Sequence, residues 1–91
     1  GRAAKRPEIE PADLRAVFEV NLFAAVALAQ AALPHLLAAP AGRLLFVSST
    51  AGLHGVRGRA PYAASKGALN AFALSLAEEV KRSSLRVNIL C

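Results

Sequence analysis

Ninety-one residues suffice for one small domain and no more, and a chain of this size buries only about 60% of the surface it exposes when unfolded. A composition of 55% hydrophobic and 19% charged residues excludes a disordered chain, and the single cysteine, Cys91, excludes an internal disulfide. The net charge of +5 does not indicate a nucleic-acid reader, because the basic residues beyond the leader are scattered and one Tyr with no Trp cannot supply a stacking platform.

The lone cysteine suits a reducing compartment, so a cytoplasmic location is expected. The sequence contains no Met, which suggests that Gly1 is not the start of a natural chain. The longest uninterrupted apolar run, Leu22 to Ala29, is far short of the roughly 18 residues that span a bilayer, and no membrane partner is expected.

Residues 1 to 10 are charged and contain Pro7, which predicts a loop. From Pro11 onward Leu14, Val17, Phe18, Leu22, Ala25, Ala29, Leu33 and Leu36 recur at spacings of three and four, the stripe of an amphipathic helix over about 11 to 38. Pro11 fits the first helical position, and Pro34 is expected to kink or tighten the last turn because its ring removes a backbone hydrogen bond. Pro40 and Gly42 break the chain, and Leu44 to Val47 then read as a short strand, apolar on both faces and so expected to be covered on both sides. Thr50 to Pro61, with three glycines, reads as a loop. A second helix is predicted from about Pro61 to Lys81, buried along Leu69, Phe72 or Ala73, Leu76 and Val80, with Lys81 and Arg82 at its C-terminal end. "LRVNIL" closes the sequence as a second strand.

Helix, strand, helix, strand at this spacing predicts an α/β fold, one βαβ crossover with an extra helix before it, cut from a larger parallel sheet. Both strands are apolar on both faces, yet no helix remains for the second face. In isolation such a segment is expected to aggregate, dimerise or stay partly molten.

Three positions carry chemistry. Tyr62 and Lys66 stand four residues apart at the start of the second helix, so their side chains share a face. A phenol ordinarily ionises near pH 10, about three units above neutrality, and a neighbouring ammonium and a helix N-terminus both favour its ionised form. Such a pair suits a phenol that gives and takes a proton, although a packed tyrosine beside a solvated lysine has the same spacing. Ser48 and Ser49 follow the first strand, at the carboxyl end where ligands gather in parallel sheets, and two turn serines would look the same. Asn21 interrupts the apolar stripe of the first helix, where its amide is either a site residue or one satisfied by backbone or water.

In order and spacing, "FEVNLFAAVALAQAALPHL", "GRLLFVSSTAG", "PYAASKGAL" and "LRVNIL" resemble the catalytic half of a short-chain dehydrogenase/reductase. The resemblance implies a partial Rossmann-like, doubly wound parallel sheet, with residues 1–91 the C-terminal catalytic portion of a single domain truncated at both ends. It implies a catalytic set of Asn21, Ser49, Tyr62 and Lys66. Tyr62 would act as general acid or base on the substrate oxygen and Ser49, with Ser48 as its substitute, would hold that oxygen. Lys66 would promote ionisation of Tyr62 and bind the nicotinamide ribose. Asn21 would position a water that continues the proton relay, so that Tyr62, Lys66 and Asn21 together face the cofactor, NAD or NADP.

Ser49, Leu53 and His54 are the expected substrate contacts, for a small carbonyl or alcohol, and no metal is implied. Members of this family often dimerise or tetramerise through the corresponding two helices, which makes a homodimer or homotetramer the expected assembly. The glycine-rich T-G-x-x-x-G-x-G turn and the N-N-A-G segment of the family are absent from this sequence, so the isolated segment is expected to lack turnover. The alternative is a non-catalytic relic that keeps the helix pair as an oligomerisation module.

Overall fold

The computed structural model describes residues 9–48 and 60–90. Its first helical run has three parts: α1 is Pro11–Phe18, a π-helical turn follows at Glu19–Phe23, and α2 is Ala24–Ala38. The strand β1 is Arg43–Val47, the helix α3 is Ala60–Glu79 and the strand β2 is Arg86–Leu90. The expected helix–strand–helix–strand order is therefore present, and both outer limits of the first helical run agree with the sequence reading.

Two local features differ from expectation. The π turn was not foreseen; the Ala24 N–H reaches back to the Glu19 carbonyl, five residues earlier. A turn of this kind carries one extra residue, which rotates the following side chains by about 100° relative to an unbroken α-helix. As expected, the helix continues past Pro34 to Ala38, and the Ala39 N–H that caps it bonds to the His35 and Leu36 carbonyls at 3.1 and 3.3 Å. Lys81 and Arg82 fall in the turn after α3 and not in its last turn. There Ser83 Oγ donates to the Val80 carbonyl at 2.7 Å and accepts the Leu85 N–H at 3.1 Å, which turns the chain toward β2.

The strands pair in parallel, Arg43 opposite Arg86 through Val47 opposite Leu90, and α3 is the connection between them. The ladder continues one step at each end, with Arg86 N–H bonded to the Gly42 carbonyl at 3.1 Å and Ser48 N–H to the Leu90 carbonyl at 2.7 Å. The core is small: Ala29 of α2, Phe46 of β1 and Leu69, Ala73 and Leu76 of α3, flanked by Leu22, Ala25, Leu33, Val87 and Ile89. Phe46 meets Phe72 edge to face with ring centroids 5.8 Å apart, a favoured aromatic arrangement. The buried stripe on α3 is the one its sequence periodicity predicts.

Coverage of the sheet is one-sided, as expected of strands apolar on both faces in a sequence with no helix left for the second face. Phe46 points into the core, whereas Leu45 and Val47 are 58% and 62% exposed and Leu90 is exposed on the neighbouring strand. An apolar groove of about 370 Å³ runs along β1 and α2, lined by Leu28, Ala29, Leu44, Leu45, Val47 and Leu69 among others. Val20 and Leu28, at 71% and 73% exposed, leave the outer side of the first helical run equally bare. By length and mean hydropathy, 1.8 over its best window, the run Pro11–Ala38 is also long and apolar enough to cross a membrane. Uninterrupted apolar runs, the measure used on the sequence, do not register this because Asn21 and Gln30 divide the stretch. Its Leu22, Ala25, Ala29 and Leu33 nevertheless meet the protein core.

Gly42 joins the helical run to β1 in a space that admits no side chain, since a Cβ there would stand 2.4 Å from the Leu36 carbonyl oxygen. Gly42→Ala should therefore lower unfolding stability by about 1–3 kcal/mol in a denaturant titration of the intact protein; an unchanged midpoint would contradict this close approach. The purified 91-residue chain should bind a fluorescent apolar dye or self-associate with rising concentration, because one sheet face is uncovered. A dye-silent monomer in analytical ultracentrifugation would refute that expectation.

Candidate functional site

The first turn of α3 can begin at Ala60-Pro61 because the missing N–H of proline costs nothing where no helical partner exists for it. One turn of helix then sets Tyr62 and Lys66 on a common side. Lys66 Nζ stands 5.8 Å from the centroid of the Tyr62 ring, within cation–π range, and both side chains are half-buried. The phenol and the ammonium thus occupy one partly exposed surface at the start of the helix.

Between them, on the inner side of the same turn, lies Ser65, with no exposed surface. Its hydroxyl donates to the Tyr62 carbonyl oxygen at 2.8 Å and accepts a hydrogen bond from Asn21 Nδ2 at 3.1 Å. Asn21 sits in the middle of the π turn, half-buried, and its Nδ2 finds a side-chain partner in Ser65. Ser65 therefore connects the first helical run to the turn of α3 that carries Tyr62.

Of the residues named from the sequence, Asn21, Tyr62 and Lys66 are accordingly gathered around one end of α3. Ser49, Leu53 and His54 lie outside the described residues. Ser48, the substitute for Ser49, follows β1 at its carboxyl end; its Oγ is buried and has no hydrogen-bond partner among the described residues. The sequence reading missed Ser65. A signal was available: with Leu69, Ala73 and Leu76 it lies on the buried stripe of α3, where a hydroxyl needs a partner. Asn70 is also buried without a partner among the described residues. No described cluster of His, Cys, Asp and Glu could hold a metal ion.

Comparison with known proteins places this geometry in context. The family model for "short chain dehydrogenase" matches residues 1–91. A dehydrogenase/reductase SDR family protein 7-like from Anopheles gambiae is 38% identical over 78 residues, covering 86% of this chain and 24% of the relative. A short chain dehydrogenase of Salmonella enterica serovar Typhi superposes with a TM-score of 0.86 at 41% identity, over 90% of this chain and 34% of its own. A putative short chain dehydrogenase from Escherichia coli CFT073, solved as a complex with NADPH, gives a TM-score of 0.83 at 41% identity, over 90% of this chain and 34% of its own. The chain thus spans about a quarter to a third of the length of the proteins it matches.

Breaking the link between the two helices should be measurable as stability. Asn21→Ala removes the hydrogen bond at Ser65 and should cost about 0.5–1.5 kcal/mol in a denaturant titration of the intact protein. A neutral result would show that the bond is not maintained in solution.

Proposed function

The chain belongs to the short-chain dehydrogenase family, and from that membership we propose that residues 1–91 are the catalytic portion of a larger nicotinamide-dependent oxidoreductase acting on a small carbonyl or alcohol. The observation that carries this reading is the Tyr62–Lys66 pair at the start of α3, with the ammonium 5.8 Å from the phenol ring and both side chains accessible from one side.

The residues present suit the nicotinamide-ribose end of NAD or NADP. An ammonium has three N–H donors and no acceptor, which matches the vicinal hydroxyl oxygens of a ribose. The phosphate end would need backbone N–H groups from a glycine-rich turn, and this sequence has no such turn. The solved relative with NADPH supports the choice of cofactor class, and the selection between NAD and NADP belongs to segments outside these residues. When bound, the cofactor supplies the hydride that adds to or leaves the carbonyl carbon.

The protein's own part is proton handling. In reduction, the Tyr62 O–H would donate its proton to the carbonyl oxygen as negative charge develops there; in oxidation the same oxygen would take the proton of the alcohol. Lys66, held against the ring, stabilises negative charge on the phenol oxygen at the moment of transfer. Ser49, with Ser48 as its substitute, would donate a hydrogen bond to the substrate oxygen, and Leu53 and His54 would line the substrate side. Asn21 would position the water that returns a proton through Lys66. The bare outer faces of the first helical run and α3 suit a homodimer or homotetramer built on these helices, in a cytoplasmic protein with no membrane partner.

The intact protein should oxidise NADPH or NADH in the presence of some members of a panel of small aliphatic and aromatic ketones. Tyr62→Phe should lower kcat by about 10²–10⁴-fold, the usual contribution of a positioned proton donor. Lys66→Met should lower kcat and also raise the Kd for NADPH in a fluorescence titration. Turnover by Tyr62→Phe at the wild-type rate would sink the assignment, and the 91-residue chain alone should show none.

A further inference from the structure

We infer that Ser65 is a positioning residue for the reaction proposed above, one that fixes the orientation of the Asn21 amide and ties it to the backbone of the turn carrying Tyr62. The inference rests on the oxidoreductase reading of the site and concerns a residue assigned no part in it so far.

A serine hydroxyl has one proton and two lone pairs. At Ser65 the proton is committed within its own helix, to the Tyr62 carbonyl oxygen at 2.8 Å. Only lone pairs are left to face the neighbouring helix, so the group opposite must donate. Asn21 meets that demand with its NH₂, at 3.1 Å. The amide is thereby fixed in one of its two flipped orientations, with Oδ1 as an acceptor on the side of the plane away from Ser65. Because Ser65 has no exposed surface, water cannot replace either partner without opening the helix contact. The π turn matters here as well: its extra residue sets the rotation at which Asn21 leaves the helix. Proton donor and amide therefore share one mechanical reference, the Ser65 hydroxyl.

The test uses the intact protein and the ketone that the wild type reduces fastest. Ser65→Ala removes the hydroxyl, and Ser65→Cys keeps the volume while replacing it with a weak donor and acceptor. Both should lower kcat by about tenfold while the KM values for NADPH and ketone, and the NADPH Kd, stay within about twofold. The double variant Asn21→Ala/Ser65→Ala should be no slower than Asn21→Ala alone, because the two residues act as one unit. Wild-type kcat in Ser65→Cys, or multiplicative losses in the double variant, would overturn the proposal. So would failure of both Ser65 variants to fold, which would make the residue purely structural. Full turnover by Tyr62→Phe would remove the oxidoreductase premise itself, an outcome distinct from loss in Tyr62→Phe with none at Ser65.

Discussion

One buried hydroxyl, that of Ser65, connects two helices that otherwise meet through apolar side chains. Apolar contact sets how near α3 lies to the first helical run, but it is non-directional and leaves sliding and rotation loosely defined. The pair of hydrogen bonds through Ser65 supplies what the apolar contact lacks, because each needs a donor and an acceptor within a narrow range of distance and angle. Each bond adds only about 0.5–1.5 kcal/mol net, yet an unpaired buried hydroxyl would cost about 1–3 kcal/mol. The asymmetry penalises misregistered packing more than it rewards the correct one.

Around this fixed point the fold divides its work. Leu69, Ala73 and Leu76 hold α3 on the core side of the strands, while Tyr62 and Lys66 occupy the first two turns, half-exposed beyond the sheet's carboxyl end. Core packing and the candidate site therefore lie on one helix but on different lengths of it. The parallel ladder is continued to Ser48 by its bond to Leu90, which fixes the end of β1 against the end of β2.

Much of this was legible in the sequence, and the reasons are local. Leu69, Ala73 and Leu76 declare their helix through spacing alone, and Gly42 marks the only kind of residue that fits beside the Leu36 carbonyl. Tyr62 and Lys66 declare their shared side through a separation of four. Less was legible where the outcome depends on a partner far along the chain. The π turn at Glu19–Phe23 has no periodic signature, since the spacings of three and four continue through it. Ser65 looked like filler within Y-A-A-S-K because its significance comes from Asn21, 44 residues away. The two-sided apolar pattern of β1 reads as a demand for cover, and counting the helices already shows that only one face is met, as the exposed Leu45 and Val47 bear out.

Parallel pairing has a further consequence for the order in which such a chain can be assembled. β1 and β2 can bond only after the whole intervening crossover has been synthesised, since Arg43 pairs with Arg86. Closing so long a loop is entropically unfavourable until the late contacts compensate for it. A nascent chain emerging from the ribosome would therefore present β1, with Leu45 and Val47, before the edge that takes β2 can be filled. Chaperone capture during that interval would act on the strand that leads into Ser48.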